Sequence, residues 1–218
     1  MINDLKLAVR LMKKSYTFKY NLVAMVLFIL GGIMEMAIGA AVGGLFVFMG
    51  FALLPSQLLS TLGYAGLVTA SPFRRRMQVG FQIKIYLAGS MAGLLFVSVF
   101  TAVILLFADA EGKAKLWNIY LVYGICCAVF GIYITLAYKL FIVSTAVILL
   151  CVYLPLIMKP ETLISGLGNR QFYSAPATVL VTVGLILLSA LAQYALGSLL
   201  YRRPLSKFAA NRNLRRYI

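Results

Sequence analysis

The chain has no histidine, and only five of its 218 residues are aspartate or glutamate. The lack of histidine removes the commonest general base and the commonest metal ligand. With so few carboxylates, and none paired, acid–base catalysis has little to work with. No GxxxxGK[ST] loop is present to cradle a nucleotide. Charged residues of either sign make up only 11% of the chain, far below what the surface of a soluble domain requires. The three cysteines, Cys126, Cys127 and Cys151, lie inside apolar stretches and read as small buried hydrophobes rather than disulfide partners or metal ligands. No small-x-small cleavage pattern follows the first apolar run, so that run is expected to remain as an uncleaved span. These absences argue against an enzyme and against any cofactor or metal held by this chain.

What is present is apolar. Hydrophobic residues make up 63% of the sequence and the mean hydropathy is +0.98, so lipid has to be part of the solvent. Apolar runs of about 20 residues, the length that crosses a bilayer, recur along the chain. They predict an all-α polytopic membrane protein with six transmembrane helices, at 21–39, 41–70, 85–108, 119–138, 140–158 and 175–200. Residues 1–20 precede them as an interfacial amphipathic helix, 21–200 form the membrane domain, and 201–218 form a basic tail. The second run would be about 45 Å long as a helix. It is therefore expected to tilt, to kink at Pro55, or to project into the cytoplasm. Asp109 to Asn118 reads as a short polar loop, and Lys139 marks a tight turn.

The formal charge is +15, and its distribution gives the topology. Sixteen of the 20 lysines and arginines fall in the termini and in alternate loops on one side. Lys113, Lys115, Lys159 and Arg170 are alone on the other. The positive-inside rule then puts both termini in the cytoplasm. Basic residues interleaved with spans in this way serve topology, so nucleic acid is not an expected partner.

Three features stand out as candidate sites. In the N-terminal segment, Ile2, Leu5, Val9 and Met12 recur at helical spacing, with Arg10, Lys13 and Lys14 among the polar residues. Such a helix lies in the interface with its apolar face in lipid. Between the second and third spans stands Ser71-Pro72-Phe73-Arg74-Arg75-Arg76. There Ser71 as an N-cap and Pro72 in the first turn would start a short basic helix. Phe73 and Met77, four apart, would offer one apolar edge to a partner. Glu35 is the only carboxylate inside a span and a candidate for an outer substrate vestibule, although a headgroup-facing carboxylate fits its position as well. Gly89 and Gly93 form a GxxxG that suits close packing within the bundle or dimerisation.

These motifs resemble the membrane-spanning permease subunits of type-2 ATP-binding-cassette (ABC) transporters. The interfacial helix with Met12-Lys13-Lys14, the six spans, the Ser71–Arg76 loop and the tail from Tyr201 to Lys207 all contribute to the likeness. The resemblance implies a separate ABC ATPase subunit, binding ATP and Mg on its own chain, docked on the cytoplasmic face. It makes the interfacial helix and the loop from Ser71 to Arg76 the coupling elements. It also implies a second permease, identical or a close paralogue, in a bacterial plasma (inner) membrane. Among such subunits the chain is similar to small ones that export amphipathic peptides, including exporters of the phenol-soluble-modulin type. Two other readings stand beside this one: a self-contained channel or secondary carrier, and a non-transporting membrane scaffold or immunity protein.

Overall fold

The computed structural model describes residues 2–15, 17–40, 42–63, 70, 72–106, 110–137, 139–148 and 175–203, and every regular element among them is helical. Helix α1 (Ile2–Lys13) leads into α2 (Phe18–Ala37). The chain then reverses at Gly39, whose φ of +77° is a left-handed conformation that glycine adopts without steric cost. It returns through α3 (Gly43–Phe48), a π-helical turn (Met49–Leu53) and α4 (Leu54–Gly63). A second π-helical turn (Arg76–Phe81) runs into α5 (Gln82–Leu105). Helices α6 (Ala110–Ala137), α7 (Phe141–Ile148) and α8 (Ala175–Leu200) complete the described chain.

Among the described residues, five helical segments are long and apolar enough to cross a membrane: Phe18–Ala37, Gly43–Gly63, Arg76–Leu105, Leu116–Ala137 and Ala177–Leu200. They correspond to the first, second, third, fourth and sixth expected spans. Of the fifth, only residues 140–148 are described, and Phe141–Ile148 among them form α7. The remainder of that span, the loop 159–174 and the tail 204–218 lie outside the described residues. Large apolar side chains point outward along the rods, among them Leu27 and Met34 of α2, Leu95 and Val99 of α5, and Leu180 and Leu191 of α8. An outward apolar surface of this extent is what lipid, not water, favours. The chain is thus consistent with a multi-pass membrane protein.

Three expectations from sequence require correction. The segment from Ala110 to Asn118 is helix, not loop. Alanines at 110 and 114 favour helix. The second span does not simply kink at Pro55. Its backbone widens one turn earlier, where the Leu54 N–H reaches back five residues to Met49 O. Proline has no N–H to offer the Phe51 carbonyl four residues before it. The basic stretch after Pro72 is not a separate short helix either, because Arg76–Leu105 forms one continuous 30-residue rod.

Glycine faces set the packing. A Cβ on Gly43 would lie 2.5 Å from Met36 Cγ, and one on Gly44 would lie 2.5 Å from the Ile119 carbonyl oxygen. Helix α3 is therefore held backbone-close to α2 on one side and to α6 on the other. The GxxxG of α5 works the same way, inside the chain. A Cβ on Gly89 would overlap the Phe51 carbonyl oxygen, and one on Gly93 would overlap the Tyr123 hydroxyl. Around these contacts lies one apolar core that includes Met36, Phe48, Tyr86, Val97, Ile119, Tyr123 and Ile186.

Gly89→Ala is expected to push α5 off the π-turn, because the obstacle is backbone and cannot yield. A cost of about 1–3 kcal/mol is typical of overpacking. Nothing stands within 4 Å of a Cβ on Gly184, so Gly184→Ala should leave stability unchanged or raise it. Thermal unfolding of both variants in one detergent checks this, and equal melting temperatures would refute the packing account.

Candidate functional site

The basic end of the bundle is built from three separate stretches of chain. Helix α1 buries Ala8 and Met12 against Leu58 and Leu59 of α4, Met77 and Phe81 of the second π-turn, and Ile85 of α5. Met12, expected to face lipid, thus rests on the protein itself. Val9, expected on the same face, is 39% exposed. Lys6, Arg10, Lys13 and Lys14 all face outward.

Next to α1, Ser71 lies outside the described residues, and Pro72, Phe73, Arg75 and Arg76 are exposed. Phe73 is 61% exposed while Met77 is 8% exposed within the apolar cluster. The two therefore do not form a common docking edge, because Met77 is held inward by α1 and α4. Arg76 lies over the Phe81 ring at 5.3 Å.

Arg74 turns the other way, toward the end of α8. Its Nη2 donates to the Tyr201 carbonyl at 2.8 Å, while its Nε is buried without a partner. The Arg75 guanidinium sits 5.6 Å from the centre of the Tyr201 ring. From the turn after α6, Lys139 Nζ donates to the Arg203 carbonyl. Two cations thus hold the carbonyls just beyond the last helix, where its macrodipole is negative. Burial, with the charge of Arg74 adding to it, pushes the Lys139 ammonium down to about 8.

Between the helices runs a feature the sequence reading did not identify: a seam of buried polar side chains. Gln78, Gln82, Tyr86 and Ser90 follow one another four residues apart along the rod that ends in α5, and all are buried. Thr178, Thr182, Ser189 and Gln193 line the inner face of α8, and Tyr123, Cys127 and Thr135 that of α6. Tyr86 Oη lies 2.6 Å from the Cys127 carbonyl oxygen and 3.1 Å from Ser189 Oγ. Ser189 Oγ is 2.9 Å from the same carbonyl, so α5, α6 and α8 meet at one acceptor. Tyr123 donates to the Ser90 carbonyl at 2.6 Å, and Thr182 to the Tyr120 carbonyl at 2.9 Å.

The amides fare differently. Gln193 is 1% exposed, and neither its Nε2 nor its Oε1 has a partner. Gln82 Nε2 and Ser90 Oγ are likewise buried and unpartnered. Of these groups, the Gln193 amide lies against the bare face of Gly131. A Cβ there would lie 2.6 Å from Gln193 Nε2, 2.8 Å from Tyr86 Oη, and would overlap Ser189 Oγ. The seam holds no charge, which is why a search for intramembrane charges passes over it. The spacing 78, 82, 86, 90 was the available signal.

Glu35 is half-buried near the end of α2. None of the buried polar side chains comes from α2, so Glu35 stands apart from the seam. No group of three or more His, Cys, Asp or Glu that could hold a metal ion occurs among the described residues.

Two outcomes follow from this geometry. Tyr86→Phe removes a hydroxyl with two partners and should cost about 1 kcal/mol. Gln193→Leu removes an amide with none, and should raise stability by about 1–3 kcal/mol, the typical cost of a buried unsatisfied polar group. Opposite shifts in melting temperature check both. For Lys139, the unfolded chain keeps its proton up to about 10.5 while the folded chain releases it from about 8. Stability should therefore rise with pH across that window. Subtracting the Lys139→Met profile from that of the native chain isolates this contribution, and a flat difference would refute it.

Comparison with protein-family models, with curated proteins and with solved structures yields no match for this chain.

Proposed function

We propose that this chain is the membrane-spanning subunit of an exporter driven by ATP hydrolysis on a separate ABC ATPase subunit. The observation that carries the reading is the shared cluster of Ala8, Met12, Leu58, Leu59, Met77, Phe81 and Ile85. It ties the N-terminal helix and the arginine-bearing turn into one body with the second and third spans. A partner that docks on Phe73, Arg76 and the basic face of α1 would therefore move helices rather than a loose loop. Displacing them in this way lets differential binding of two states by the ATPase drive alternating access. The bias of basic residues toward this end supports a cytoplasmic position for it, with a bacterial plasma membrane as the proposed location of the bundle.

The export pathway would be completed by a second copy or a close paralogue. Amphipathic or hydrophobic peptides are the proposed cargo, supported by the resemblance to small peptide exporters and by adaptable methionine and aromatic side chains in the spans. A second reading, a self-contained channel or carrier, is favoured by the buried polar seam, since pathways through lipid are lined by groups able to replace water.

Mild-detergent purification from native membranes, followed by mass spectrometry, tests the proposal. A stoichiometric nucleotide-binding subunit is expected with the native chain. It should be lost from a Phe73→Ala/Arg76→Glu variant that keeps its melting temperature. Substrate flux through vesicles containing the chain alone, without ATP, would overturn the ATP-driven reading in favour of the channel.

A further inference from the structure

Arg74, Arg75 and Arg202, at the end of α8, face no carboxylate whose side chain is described. Of the five carboxylates, Glu35 and Glu111 stand at the opposite ends of α2 and α6. Asp109 and Glu161 fall outside the described residues. Asp4, on α1, has an undescribed side chain. Around Tyr201, by contrast, positive charge is concentrated. Arg75 and Arg202 both lie 5.6 Å from the centre of its ring, and Arg202 Nε donates to its hydroxyl at 2.8 Å. Arg74 holds its carbonyl and keeps one buried N–H without a partner. Arg75 and Arg202 are themselves exposed. Two guanidiniums oriented on one aromatic ring have lost much of their rotamer freedom, which favours fork-like recognition of a phosphate.

The surface beneath this cluster is apolar. Leu187, Leu191 and Tyr194 are exposed along α8, and with Ser198 and Tyr201 they follow the spacing of a single helix face. Leu191 lies ten residues before Tyr201, a depth of about 15 Å on a helix, which is half the hydrocarbon thickness of about 30 Å. A charged clamp at the membrane boundary above an apolar strip one leaflet deep has the shape of a phospholipid's surroundings. Tyrosine at a helix end belongs at the same headgroup level.

We propose that Arg75 and Arg202, set by Tyr201 and backed by Arg74, bind the headgroup phosphate of an anionic phospholipid whose chain lies along Leu191 and Tyr194. The site rests on the apolar helices lying in a bilayer and does not depend on an ATPase partner. Free phosphate shares the headgroup chemistry but has no use for the apolar strip.

Native mass spectrometry of the full chain in detergent, titrated with phosphatidylglycerol or phosphatidylcholine, reads the site directly. The native chain is expected to prefer phosphatidylglycerol, and millimolar inorganic phosphate should not displace it. Arg75→Gln/Arg202→Gln should weaken phosphatidylglycerol binding roughly 30-fold, taking each basic side chain near the surface at its usual worth. Lys13→Gln/Lys14→Gln, which removes the same charge from α1, should leave binding unchanged. Tyr201→Leu keeps both arginines but removes the ring that places them, and should weaken binding several-fold even if the double variant fails to fold. Equal binding of the two lipids, displacement by inorganic phosphate, an equal loss in the α1 variant, or native affinity in Tyr201→Leu would each overturn the proposal.

Discussion

The contact between Gly89 and the Phe51 carbonyl governs where the longest helical rod lies. A Cβ at Gly89 would occupy the space of that oxygen, so α5 and the first π-turn touch backbone to backbone. The contact is possible because the π-turn displaces the chain just ahead of Pro55, and because glycine presents no side chain on the facing surface. Lipid supplies no hydrophobic drive to press helices together, so van der Waals contact between such small surfaces carries the association. Gly43 against Met36 and Gly44 against Ile119 repeat the arrangement. Once α5 is fixed, Tyr86 and Ser90 face α6 and α8, and the arginines at its other end are brought to the end of α8.

The interior is not uniformly apolar, and its polar groups fall into two kinds. The hydroxyls of Tyr86, Tyr123, Thr182 and Ser189 each reach a carbonyl oxygen on another helix. Interhelical bonds of this sort average about 0.6 kcal/mol in a membrane, modest but enough to fix rotation about the helix axes. Gln82 and Gln193 find no such partners, and an unmade hydrogen bond in a dry interior is costly. Those four hydroxyls are explained by packing. The Gln193 amide, Gln82 Nε2 and Ser90 Oγ are not, and they mark the part of the bundle where stability has yielded to another requirement.

Much of the fold was legible in the sequence, because span length and apolar runs are dictated by the bilayer. The first and last helices, Phe18–Ala37 and Ala175–Leu200, lie close to their expected bounds. The errors occur where local composition misled. Lys113 and Lys115 gave a loop signal to residues 110–118 that helix propensity overrode. The apolar spacing of α1 was read as a lipid-facing surface, whereas the bundle itself covers Met12. Exposed Phe73 and Arg76 were found from motif alone, but the inward turn of Arg74 and Met77 depends on α8 and α1, which are distant in sequence. The polar seam was missed for a different reason. Glutamine and serine carry no charge and do little to interrupt hydropathy, so only their fourfold spacing betrays them.

The two ends of this account are joined by covalent chain. The rod from Arg76 to Leu105 carries Gln78, Gln82, Tyr86 and Ser90 without a break. Arg74, immediately before it, holds the Tyr201 carbonyl beyond α8, and Lys139, immediately after α6, holds that of Arg203. Force applied at the basic end therefore reaches α5, α6 and α8 together, and those are the helices that meet at the Cys127 carbonyl. Their hydroxyl contacts there are directional, and Gly131, having no side chain, lets Ser189, Gln193 and Tyr86 pack closely against α6. A bundle in which the basic end and the polar seam share the same three helices can convert a displacement at one into a rearrangement at the other, as the proposed ATP-driven export would require.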